Sequence, residues 1–158
     1  MSCCIEPNTP PAEVSQAGPR SGCLSCDGPS RLVNLRTMLL MLKPELFDHV
    51  GESQYRFCSS PDCPVVYFSR ERSFTTDDLR VRVGLKETGG PIPLCYCFGF
   101  SEQVVREEIA AKGHTTIPQR IKALIKERMC ACEERNPSGA CCLGEVAKAV
   151  KRLMKEAT

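Results

Sequence analysis

At 158 residues, with 42% hydrophobic and 25% charged side chains, the chain has the make-up of a folded protein of one domain or two very small ones. A net charge of +2 with no basic block excludes a nucleic-acid binder working through a broad positive surface, and the longest apolar run, Met38 to Leu42, is far too short for membrane insertion. Twelve cysteines, no tryptophan and 6% aromatics leave each half short of core, so metal or disulfide staples are expected.

Residues 1–22 are rich in Pro, Ser, Glu and Gly, lack helical or strand periodicity and read as a flexible tail. The opening Met1-Ser2-Cys3-Cys4-Ile5-Glu6-Pro7 has no apolar export segment. A chain without one stays in the reducing cytoplasm, where clustered cysteines point to metal rather than to disulfides. Within the tail, Cys3 and Cys4 are either an incidental pair or a hook for a soft ion such as Cu(I) or Hg(II), which thiolates favour.

Cys23-x-x-Cys26-Asp27-Gly28 reads as a knuckle, two thiols on a tight turn with Gly28 free to take positive φ. A short apolar helix follows through Leu42 with Thr37 as N-cap, then another turn of helix from Pro44 to His49. Gln54 to Phe57 runs towards Cys58, and Val65 to Phe68 leaves Cys63, which puts the second thiol pair on a β-hairpin. Thr76 to Asp78 is a helix start or turn, and Arg80 to Gly84 alternates like a half-exposed strand.

Two glycines and two prolines between Lys86 and Pro93 break any periodic element. The first unit is therefore expected over 23–88 as a zinc-binding β lobe, and the second over 94–156 as a helical lobe. In the second, Ser101 caps a helix from Glu102 to Lys112 ended by Gly113, and Thr116 caps one carrying Ile117, Ile121, Leu124 and Ile125. The turn Asn136-Pro137-Ser138-Gly139 leads to a third, with Leu143, Val146, Val150 and Leu153 on its apolar face.

Four thiolates from two turns satisfy tetrahedral zinc, and Cys23, Cys26, Cys58 and Cys63 have that spacing. A redox role for the Cys-x-x-Cys pair needs a thioredoxin-like βαβ setting, which the sequence does not offer. With every position filled by protein, zinc catalysis is not expected. Downstream, Cys95-x-Cys97 is joined by Cys130, Cys132, Cys141 and Cys142. A [2Fe–2S] core needs two thiolates per iron, which this set can supply, but by spacing alone a second zinc site fits equally well.

Three segments in order resemble the N-terminal domain of CopZ-type copper chaperones: Phe57-Cys58-Ser59-Ser60-Pro61-Asp62-Cys63-Pro64, Cys95-Tyr96-Cys97-Phe98-Gly99-Phe100 and Asn136-Pro137-Ser138-Gly139-Ala140-Cys141-Cys142. The resemblance implies an α+β fold, a zinc-ribbon-like β lobe followed by a small helical lobe similar to bacterioferritin-associated ferredoxin (BFD-like). It implies Zn²⁺ on Cys23, Cys26, Cys58 and Cys63, and a [2Fe–2S] cluster on Cys95, Cys97, Cys132 and Cys142, with Cys130 and Cys141 as alternates. Two such sites, each at −2, would bring the net charge to about −2.

Proteins of that build continue into a heavy-metal-associated domain with a Met-x-Cys-x-x-Cys loop, which this sequence does not contain. Copper, as Cu⁺, would then be handled by Cys3 and Cys4, by the spare thiols, or by a separately encoded domain. The expected partners are a copper-transporting ATPase, such a separate domain, or a redox protein. The readings are a metal-handling accessory protein that acquires, reduces or passes on copper, a general one-electron carrier, and a purely structural zinc protein. Hydrolytic or group-transfer catalysis ranks last, since no nucleophile–base set or phosphate loop is visible. His49 and His114 read as surface or capping residues, and Glu107–Glu108 and Glu133–Glu134 as solvated faces.

Overall fold

The computed structural model describes residues 22–158, so Cys3, Cys4 and the expected tail lie outside the described residues. The architecture is mixed, an antiparallel sheet with several helices. Its first half holds β1 (Ser30–Leu32), α1 (Leu35–Met41), β2 (Arg56–Cys58), β3 (Val65–Phe68) and β4 (Ser73–Thr75), with 3-10 turns at Pro44–His49, Thr76–Asp78 and Gly84–Lys86. The four strands form an antiparallel meander in sequence order. All of β3 is buried. Val65 and Phe68 pack with Cys23, Cys58 and Cys63, while Val66 and Tyr67 join Met38, Met41, Leu42 and Phe57 in the main core. A register shift between Val65 and Tyr67 lets one strand serve both sides.

Two local expectations are corrected. The helix expected to be capped by Thr37 is capped three residues earlier, because the Asn34 side chain accepts from Arg36 N at 2.8 Å. Thr37 is instead buried at 1% exposure. The stretch from Arg80 to Gly84 is not a strand, because its arginines grip carbonyls rather than flank a pleat. Arg80 donates to Leu40 O at 2.7 Å and Leu39 O at 3.3 Å, closing the end of α1, and Arg82 donates to Pro91 O, Gly89 O and Glu87.

The second half opens with a two-stranded hairpin, β5 (Pro93–Cys95) and β6 (Phe100–Ser101). Helices α2 (Glu102–Lys112), α3 (Ile117–Lys126), α4 (Cys132–Arg135) and α5 (Leu143–Glu156) follow. Gly113 ends α2 at φ 77°, the left-handed stop that glycine allows. Val105, Ile109, Ile117, Ile121, Val146, Ala149 and Leu153 form its core, and Cys95, Cys132 and Cys142 are buried among them. Glu102 pairs with Arg152 across α2 and α5. Among the described residues, no helix is long and apolar enough to cross a membrane.

Candidate metal centres

The first sulfur set gathers where the Cys23–Gly28 turn meets the β2–β3 hairpin. Backbone bonds Asp27 N to Cys23 O (2.7 Å) and Cys23 N to Gly28 O (3.0 Å) close that turn. Its left-handed residue is Asp27, at φ 55°, rather than Gly28. Gly28 serves close approach instead, since a Cβ there would lie 1.9 Å from Ser60 Oγ and 3.1 Å from Cys26 Sγ.

The Sγ atoms of Cys23, Cys26, Cys58 and Cys63 all lie within 4.8 Å of one another. Cys23 and Cys63 are 3.9 Å apart, and Cys26 and Cys58 3.7 Å. A Zn–S bond of about 2.3 Å gives a sulfur tetrahedron an edge of about 3.8 Å, so the set fits one zinc ion with no position left open. The surroundings act in opposite directions on Cys26 and Cys58. Ser60 Oγ, 3.3 Å from Cys26 Sγ, and the Gly28 N–H bring the Cys26 thiol down to about 6. Burial pushes Cys58 up, opposed by the Ser60 N–H and the Lys86 charge. Lys86 Nζ donates to Ser60 O at 2.8 Å and Cys63 O at 3.0 Å, setting a cation behind the knuckle.

The second set is arranged differently. Cys97 Sγ lies 3.5 Å from Cys132 Sγ, Cys132 is hydrogen-bonded to Cys142, and Cys142 to Cys95. The four sulfurs thus follow one another in a row, Cys97, Cys132, Cys142 and Cys95. Two thiolates per iron is what a two-iron centre requires, and the row fits that group. Backbone N–H groups point at the sulfurs: Ala131 N to Cys97 at 3.1 Å, Phe98 and Cys97 to Cys95, and Cys142 to Cys132.

The row shares protons unevenly. The Cys142 thiol lowers Cys132 to about 5 and Cys95 to about 7. Cys142 itself is pushed up by those same two partners, and burial raises Cys97 to about 12. Cys130 and Cys141 are both half-buried. Cys141 contacts Cys132 and lines the cleft between the lobes.

Three loops carry the row, and each is tied to the first lobe. Tyr67 Oη donates to Pro137 O at 2.6 Å, holding the Asn136–Gly139 turn that leads to Cys141 and Cys142. That turn is itself closed by Asn136 Oδ1, which accepts from Ser138 N (3.0 Å) and Ser138 Oγ (2.9 Å). Thr37 Oγ1 donates to Glu133 O, next to Cys132. Gly84 N donates to Tyr96 Oη at 2.8 Å, between Cys95 and Cys97. Burial and nearby Tyr96 push the Tyr67 hydroxyl up, so it remains a donor. Spacing along the sequence gives no sign of these bonds, which join residues up to 96 positions apart.

The other residues singled out from the sequence lie elsewhere. His49 and His114 are exposed, and His114 Nδ1 meets Lys112 O at 3.1 Å in the turn after α2. Glu108 is not a solvated carboxylate. It accepts from Thr115 Oγ1 (2.6 Å), Thr116 N (3.0 Å) and Thr116 Oγ1 (2.9 Å), closing the corner between α2 and α3.

Residues 20–80 match the zf_CopZ family, described as a zinc binding domain. The copper chaperone CopZ of Archaeoglobus fulgidus is 33% identical over 112 residues, 65% of this chain and 53% of that protein. The chain thus spans about half the length of this curated relative. The X-ray structure of the Archaeoglobus fulgidus CopZ N-terminal domain superposes with a TM-score of 0.68 at 28% identity, covering 81% of this chain and 96% of that one.

Proposed function

Given that the chain carries an N-terminal zinc-binding domain of the CopZ type, we propose that it is a copper-handling accessory protein with a structural zinc and a [2Fe–2S] centre in a BFD-like helical lobe. In this reading Cys23, Cys26, Cys58 and Cys63 hold the zinc, and Cys95, Cys97, Cys132 and Cys142 hold the cluster. The observation that carries it is the row of four sulfurs, Cys97 beside Cys132 at 3.5 Å, Cys132 beside Cys142 and Cys142 beside Cys95. When bound, a [2Fe–2S] centre supplies single electrons, the chemistry needed to bring Cu(II) to the Cu(I) that thiolates prefer.

The chain's own residues prepare that site. The N–H groups of Ala131, Phe98, Cys97 and Cys142 lower the energy of charge on sulfur. The start of α5, immediately after Cys142, adds its positive dipole end. Tyr96 and Phe98, both half-buried, keep water from the row. Copper itself is cargo, taken by Cys3 and Cys4 or by the half-buried Cys130 and Cys141, and passed to a copper-transporting ATPase or a heavy-metal-associated domain.

A one-electron carrier without a copper role rests on the same row. It is favoured by the half-buried Cys97 and Phe98, which bring the row within reach of a docked redox protein. Anaerobically purified protein should contain about one zinc, two irons and two acid-labile sulfides per chain, with visible thiolate-to-iron absorption. A colourless protein with two zincs would refute the cluster. Copper handling requires tight Cu(I) binding without loss of iron, weakened by Cys3→Ser with Cys4→Ser if the tail is the hook; no Cu(I) uptake would leave the electron carrier.

A further inference from the structure

We propose that the zinc lobe fixes the spacing of the second sulfur row, with Tyr67 as the principal positioning residue and Thr37 as its second. The inference rests on the reading of that row as a cluster site. Cys95 ends β5, Cys132 opens the four-residue α4 and Cys142 precedes α5, and among the described residues each of these segments has a hydrogen bond to the first lobe. The bonds are Gly84 N to Tyr96 Oη, Thr37 Oγ1 to Glu133 O, and Tyr67 Oη to Pro137 O.

These anchors are stiff because their own elements are. Tyr67 is fully buried on β3, paired with Phe57 of β2, and each strand is attached directly to a thiol of the first set, β2 ending on Cys58 and β3 starting two residues after Cys63. Thr37 is buried within α1. The Gly84–Lys86 turn runs from Tyr96 at one end to the carbonyls of Ser60 and Cys63 at the other. The path from the zinc-side thiols to the second row is therefore continuous through hydrogen bonds between side chains and backbone groups and one short strand pair. A shift of β3 moves the Pro137 carbonyl, and with it the turn that delivers Cys142.

The test is Tyr67→Phe, which keeps the ring and removes one hydroxyl, alongside Thr37→Val on a separate element. Each variant should retain one zinc per chain. Iron loss to a ferrous chelator should quicken about threefold to tenfold, the scale of one net hydrogen bond, and the visible circular dichroism bands should change shape. Val50→Ala, which trims the same core from the end of the Pro44–His49 turn and has no pairing with β3, should leave both readouts at wild-type values.

Wild-type iron loss and dichroism in both Tyr67→Phe and Thr37→Val would overturn the inference, as would an equal change in Val50→Ala. If the wild-type protein shows no iron bands, the cluster reading itself fails. The positioning claim is then judged on zinc-loaded protein by iodoacetamide alkylation of Cys142. Alkylation about threefold to tenfold faster in Tyr67→Phe would support it, and equal rates would overturn it.

Discussion

A carboxylate that accepts three hydrogen bonds at once is held ionised, and Glu108 does so at the corner between α2 and α3. Thr115 first, then the N–H and hydroxyl of Thr116, lower it from 4.5 to about 2. A depressed acid contributes stability that is present above its unfolded value and lost as pH falls through the folded one. Glu108→Gln should therefore lower the thermal midpoint at neutral pH. The gap to wild type should close between about 4.5 and about 2, with metal loss common to both proteins. Gly84 is constrained by contact rather than charge, since a Cβ there would lie 2.0 Å from Pro93 O. Gly84→Ala should cost roughly 1–3 kcal/mol in urea unfolding, whereas Gly89→Ala, in open space, should stay within about 0.5 kcal/mol. Neither role could be read from composition. A pair of threonines seven and eight residues after an acid, across a glycine stop, was the available sign for Glu108.

At the scale of the element, the β2–β3 hairpin is a strand pair closed at one end by sulfur. Its strands are three and four residues long, too short to persist alone in water. Binding of zinc to such a site is worth about 10–16 kcal/mol in small domains, enough to decide whether the meander forms. Removing zinc with a chelator should abolish the dispersed amide resonances of 23–83, and Cys58→Ser should do the same without a chelator.

The gathering of Cys23, Cys26, Cys58 and Cys63, β3 and the starts of α2 and α3 were legible because their signals are local: short cysteine spacings, a run of branched and aromatic residues, Ser101 and Thr116. β1 was not, since Ser30-Arg31-Leu32 shows no alternation and exists as an edge partner of β2. The approach of Cys97 to Cys132 was hidden for the same reason, being a contact between segments more than thirty positions apart.

Over the whole molecule, the two cores are distinct but their polar fastenings are shared. Tyr67 and Thr37 place buried donors on carbonyls of the other half, whereas the exposed Arg36–Glu134 pair at 3.1 Å adds little. A buried donor left without its acceptor costs about 1–3 kcal/mol. Separate melting of the halves would strand both hydroxyls, so calorimetry of the metal-loaded protein should show one transition. Two resolved peaks would contradict this coupling.

The bend at Gly89–Gly90 is thus a seam in the sequence and not in space. Fragments made by cutting there would each display half of a common floor, and neither would travel as a module. A graft of the helical half onto another scaffold would have to bring the strand bearing Tyr67 with it.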